Sequence, residues 1–103
     1  MITEIITFKI PNGMTREETL LHYEASAKEW RANPDLIRKN YLYDGERGIA
    51  GGVYLWREKA HAEKWHGEKF RRRIRDTFNA VPETQIFETP IVVDNVAGAI
   101  IRE

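Results

Sequence analysis

The chain has 103 residues, enough for one domain around one hydrophobic core, and no cysteine, which excludes disulfides, thiolate metal sites and cysteine nucleophiles. Sixteen basic side chains balance sixteen acidic ones, so the bulk charge favours neither nucleic acid nor an anionic membrane as a partner. No segment approaches the length of a membrane span, and the start Met1-Ile2-Thr3-Glu4 lacks the basic region and apolar stretch of a signal peptide, so a cytoplasmic location is expected.

Ile2 to Ile10 reads as a strand, with Ile6, Phe8 and Ile10 on one face and Ile5, Thr7 and Lys9 on the other. Pro11-Asn12-Gly13 ends it with turn chemistry. Thr15 opens a helix, where Thr15 and Glu18 are spaced as a capping box that satisfies two free backbone donors. Leu20, Tyr23, Ala27 and Trp30 fall on one stripe of that helix, and Asn33-Pro34 ends it. Leu36 to Tyr43 alternates as a second strand, with Ile37, Lys39, Tyr41 and Tyr43 on one side and Leu36, Arg38, Asn40 and Leu42 on the other. Asp44-Gly45 and Gly48 mark a loop. A third strand runs from Gly51 or Gly52 to Arg57, spaced for an antiparallel hairpin with the second. Glu58 to about Phe78 is helical, with Gly67 a candidate break, and Pro82 closes it. Gln85 to Val93 reads as a fourth strand whose Pro90 puts that stretch at an edge or beyond the sheet. The tail from Asn95 to Glu103 carries no assignment.

The order β-α-β-β-α-β is the ferredoxin-like plan of an α+β domain, predicted to span residues 1–103. Two helices cover only one face of four strands. The other face needs a partner, and two such sheets packed face to face give a homodimeric α/β barrel.

The run Gly51-Gly52-Val53-Tyr54-Leu55-Trp56, followed by a charged turn and then Ala60 and Ala62 on a helix, resembles the YdhR-type mono-oxygenases. In that family a Gly-Gly-aliphatic-Tyr-Leu-aromatic strand leads into the second helix. The wider run from Trp56 to Phe70, with His66 in the helix and an aromatic four residues later, is similar to the antibiotic-biosynthesis mono-oxygenase superfamily. That superfamily also holds haem-degrading enzymes, lactone isomerases and members without known activity. The resemblance implies a dimeric α/β barrel and a cofactor-independent mono-oxygenase acting on a small aromatic or polyketide-like molecule, with no metal or flavin. The alternatives are a non-catalytic small-molecule-binding protein on the same scaffold, or a related isomerase or haem-binding member.

His66 is the first candidate for chemistry. Ala62, His66, Phe70 and Ile74 recur every four residues, which sets the imidazole at the buried stripe as a proton carrier, or as a core-edge histidine bonded to a backbone carbonyl. Arg38 and Asn40 share one side of the second strand. They could stabilise a developing substrate anion, or form a polar pair at a dimer interface. Tyr54 and Trp56 share a strand face with Gly52, which leaves space for a flat ligand. Trp65, Tyr23 and Phe70 are further candidates to line that space, and core packing explains each of these rings equally well. Metal binding is not expected, because His61 and His66 are five apart and so about 140° apart around a helix. The run Arg71-Arg72-Arg73 with Arg75 reads as a solvated helix face balanced by nearby acids.

Overall fold

A computed structural model describes all residues 1–103. Strand β1 (Ile2–Lys9) is followed by helix α1 (Arg16–Arg31), strands β2 (Leu36–Asp44) and β3 (Ile49–Trp56), and helices α2 (Lys59–Trp65) and α3 (Glu68–Phe78). Strands β4 (Glu83–Glu88), β5 (Ile91–Asp94) and β6 (Ala99–Arg102) complete the chain. β1 to β4 form one antiparallel sheet in the order β2-β3-β1-β4, the ferredoxin-like arrangement, and β5 pairs only with β6.

The capping box opens α1 as its spacing predicts. Glu18 N–H donates to Thr15 Oγ1, and Thr15 N–H donates to Glu18 Oε1, each at 3.1 Å. The second helical stretch divides at Gly67, which stands as the N-cap of α3, while His66 caps the end of α2. The core lies between the helices and one sheet face. Ile2, Ile6 and Phe8 of β1 and Ala50, Tyr54 and Trp56 of β3 meet Tyr23 of α1, Ala62 of α2, and Ile74 and Phe78 of α3. Phe8 and Phe78 pack with ring centroids 4.6 Å apart and so dock the end of α3.

Two departures from the sequence pattern matter. The β2–β3 register slips between Leu36 and Arg38, so Leu36 pairs with Trp56 and packs on the core while Arg38 pairs with Leu55 on the opposite face. One inserted residue undoes simple alternation. The stretch expected as one fourth strand splits at Pro90, which has no N–H to continue a ladder. The tail that carried no assignment turns back as β6. Asp94 Oδ1 accepts from the N–H groups of Val96 and Ala97, each at 3.0 Å, and Gly98 takes a positive φ of 68° to close the hairpin.

Tyr23 fixes α1 to the sheet. Its hydroxyl donates to Leu42 O at 2.6 Å and accepts from Gly51 N–H at 3.0 Å, so it sits inside the β2–β3 ladder. Gly51 has φ +157°, and a Cβ there would lie 1.9 Å from Ile6 O, so only glycine fits.

Candidate functional site

Between the helices and the sheet lies a cavity of about 210 Å³. Its lining includes Tyr23, Ser26 and Trp30 of α1, Lys39 and Tyr41 of β2, Gly52 and Tyr54 of β3, and Phe70 and Arg73 of α3. Alternation in β2 turns Lys39 and Tyr41 to this side, and alternation in β3 turns Gly52 and Tyr54 to it. Tyr23 and Tyr41 stack at 4.4 Å, and the hydroxyls of Tyr41 and Ser26 are 2.6 Å apart. Burial raises the Tyr54 phenol far above its ordinary range and raises Tyr41 and Tyr23 in the same sense, so all three stay neutral near pH 7.

Lys39 is the one amine in this aromatic chamber. Its Nζ lies 3.8 Å from the ring centroid of Tyr41, 4.5 Å from that of Tyr54 and 4.7 Å from that of Trp30. Burial, with a smaller push from the Arg73 guanidinium, lowers its pKa to about 7. Gly52 makes room for it, because a Cβ at that position would stand 3.0 Å from Lys39 Cε and 3.1 Å from the Tyr54 ring.

Beside the cavity sits a second polar group, the pair Glu4–His66. Glu4 is only 2% exposed, and its Oε1 accepts from His66 Nδ1 at 2.5 Å and from Trp56 Nε1–H at 3.0 Å. With Nδ1 as the donor to Glu4 Oε1, the other ring nitrogen, Nε2, keeps its lone pair. That Nε2 is buried and has no partner. Burial lowers the His66 pKa, and the weaker pull of Glu4 opposes it. The imidazole is walled by rings, with Phe70 at 4.2 Å, Tyr54 at 4.3 Å and Trp30 and Trp56 each at 5.4 Å between centroids. Trp30, Tyr54 and Phe70 line the cavity, and His66 stands behind them. No three His, Asp or Glu side chains converge as a metal-binding group.

The structure therefore divides the residues expected to act together. Tyr23, Tyr54 and Phe70 line the cavity. Trp56 is fully buried beneath it and holds Glu4. Trp65 is 38% exposed and donates from Nε1 to Asp35 at 2.9 Å, outside the cavity. Arg38 and Asn40 do not converge with His66. They lie on the opposite sheet face, around an open hollow also bordered by Thr3, Leu55 and Ile91, where Arg38 reaches Asp94 at 3.4 Å. Two strand residues apart on one parity cannot meet a helix that covers the other parity. Lys39 and Glu4 are the polar groups the sequence reading passed over. Their signal was position, since each stands on the apolar parity of its strand, Lys39 beside Tyr41 and Glu4 beside Ile6.

The sequence has no match among curated proteins. Residues 5–94 match the family described as "Putative mono-oxygenase ydhR", a span that takes in the whole sheet apart from the first residues of β1 and all three helices. With the Gly51–Trp56 strand leading into α2 and the sheet order in place, the chain belongs to the ydhR mono-oxygenase family.

Proposed function

We propose that the protein is a mono-oxygenase that acts, without metal or flavin, on a small, flat aromatic or polyketide-like molecule held in the Lys39 cavity. The observation that carries this reading is the cavity of about 210 Å³, walled by rings from both layers of the fold. In overall balance a substrate methylene and dioxygen become a carbonyl and water, the substrate supplying all four electrons. A base removes a substrate proton, and the carbanion passes one electron to dioxygen. The radical pair joins as a peroxide, which expels hydroxide as the second C–H proton leaves. His66 suits the base, because Glu4 holds it by Nδ1 and leaves Nε2 free to take the proton and return it to the hydroxide. Trp30, Tyr54 and Phe70 must turn aside for Nε2 to reach a bound molecule.

That wall favours a second reading, a binding protein on the same scaffold that carries out no reaction. Oxygen consumption with a panel of hydroquinones and anthrones separates the two. Turnover supports the oxygenase, and tight binding without oxygen uptake supports the binding protein. In a working enzyme His66→Ala should cut turnover by roughly 10²–10⁴-fold. A folded and fully active variant removes His66 from the mechanism.

The proposal includes a homodimer formed through the sheet face that the helices leave bare. That face and the adjoining hairpin expose Phe87 (53%), Val93 and Ile100. Exposed apolar side chains of this kind suit a partner surface. Arg38 and Asn40 would then be interface residues. Sedimentation as a monodisperse monomer at micromolar concentration overturns this part. The cysteine-free chain fits a cytoplasmic setting.

A further inference from the structure

We infer that Lys39 is the anion-selecting group of the cavity: the site takes its small aromatic ligand as a phenolate or enolate, with the Lys39 ammonium as counter-ion. The inference rests on reading the cavity as the substrate site, and it is independent of any reaction with dioxygen.

Groups from four elements face the amine. From β2 and β3 come the rings of Tyr41 and Tyr54, from α1 that of Trp30, and from α3 the Arg73 guanidinium. Both phenols are held neutral by burial, so neither supplies a negative charge. His66, behind the rings, raises the cationic character of this corner whenever it is protonated, and His22 of α1 borders the same cavity. Two carboxylates are nearby, and both are engaged. Glu4 is held by His66 and Trp56, and Glu29 is paired with Arg73 at 2.6 Å. The ion pairs of the molecule leave Lys39 out.

A lysine drawn into an apolar chamber without a partner costs stability. Its geometry is nonetheless specifically accommodated, since Gly52 clears the space its stem occupies. The three rings stabilise the ammonium in part through cation–π contact, but they cannot replace a carboxylate. What the chamber lacks is one negative charge, delivered by something thin enough to lie between aromatic walls. A phenolate or an enolized 1,3-dicarbonyl meets both requirements. A neutral phenol can also hand its proton to the uncharged amine on binding, which forms the same ion pair with no exchange of protons with solvent. A ligand that arrives already ionised above neutral pH draws one proton from solvent to Lys39.

The test uses 4-nitrophenol, whose phenolate is yellow and whose phenol is nearly colourless, with 4-nitroanisole as the uncharged counterpart. The intact protein is titrated at about pH 6, where the free probe is mostly phenol and Lys39 is charged. Bound 4-nitrophenol should turn yellow. Lys39→Met should weaken its binding by about tenfold or more and leave any bound probe colourless, while Lys39→Arg should keep the colour. In Lys39→Met, binding of 4-nitroanisole should fall much less than that of 4-nitrophenol. In parallel, the NMR titration of the Lys39 ε-carbon should move to higher pH when the protein is saturated with 4-nitrophenol, a readout that needs no variant. Colourless binding that survives Lys39→Met unchanged overturns the inference. So does a failure of the unaltered protein to bind 4-nitrophenol, or an ε-carbon titration the probe does not move. None of these readings involves oxygen, so the oxygenase proposal stands or falls separately on oxygen consumption.

Discussion

The Glu4–His66 corner and the Lys39 chamber lie on the same side of the sheet, share the rings of Trp30 and Tyr54, and treat buried polarity in opposite ways. At the first, a carboxylate oxygen receives two donors, from His66 and Trp56, and ties α2 to the middle of the sheet. At the second, an amine is surrounded by rings, and the charge that acts on it is the like charge of the Arg73 guanidinium. The difference teaches where each polar group belongs in the account. The pair is bonded at the carboxylate and stabilises the fold, with His66 Nε2 its one open position, whereas the amine has no ion-pair partner and is retained at a cost that a ligand can relieve.

The contrast is open to direct attack. Glu4→Leu keeps roughly the volume but orphans His66 Nδ1 and Trp56 Nε1, and it should cost about 2–4 kcal/mol in denaturant unfolding. A variant as stable as the parent would mean that the pair is not a structural tie. Lys39→Met should act in the other direction and raise stability near pH 7 by about 1–3 kcal/mol, since it removes a desolvated amine and keeps an apolar stem. If it destabilises the protein instead, the rings and the ammonium form a structural unit and the comparison collapses.

The two sites also divide the pH dependence. Lys39 has a pKa near 7 folded against an ordinary value of 10.5, so between those limits the unfolded chain holds more protons. Stability should therefore rise with pH from about 7 towards 10.5, and Lys39→Met should flatten that rise. His66 is also lowered by burial, and its contribution is complete above its unfolded value near 6.5. It is lost as pH falls through the lower folded value, so unfolding midpoints measured below about pH 6 should report His66 rather than Lys39. The smallest effect is expected on the far face, where Arg38 is 47% exposed and makes a long contact with Asp94. Arg38→Ala should change monomer stability by no more than about 1 kcal/mol and leave 4-nitrophenol binding intact. A loss of binding there would put the ligand on the wrong side of the sheet.

Much of this was open to reading from residues alone. The Thr15–Glu18 box, the Asn33-Pro34 stop, the break at Gly67 and the β-α-β-β-α-β order follow from local rules, which is why the ferredoxin-like plan could be reached without coordinates. Alternation also separated Arg38 and Asn40 correctly from Lys39 and Tyr41. It could not say which of the two sets the helices would cover, because that is decided by long-range packing of the crossovers. For that reason His66 was grouped with the wrong pair. The bulge at Ile37 and the β5–β6 hairpin escaped for a different reason, since each depends on where a ladder can find a partner, which alternation within one strand does not encode. Lys39 and Glu4 were in plain sight as charged residues at apolar positions of alternating strands, a pattern that marks either an error of register or a site.

The Tyr23 hydroxyl, lodged between Gly51 N–H and Leu42 O, has a mechanical consequence. It makes α1 a fixed wall, because any outward movement of that helix would unmake two hydrogen bonds within the sheet itself. On the opposite side α3 is docked at its far end by Phe78 against Phe8 and His22, but it follows Gly67 with no side-chain cap, and between its ends it is joined to α1 by the exposed Arg73–Glu29 pair. Such a pair holds with less than about 1 kcal/mol. A molecule reaching Lys39 is therefore expected to pass on the α3 side, with α3 as the hinged wall and α1 as the jamb, and amide hydrogens of α3 should exchange faster than those of α1 around Tyr23.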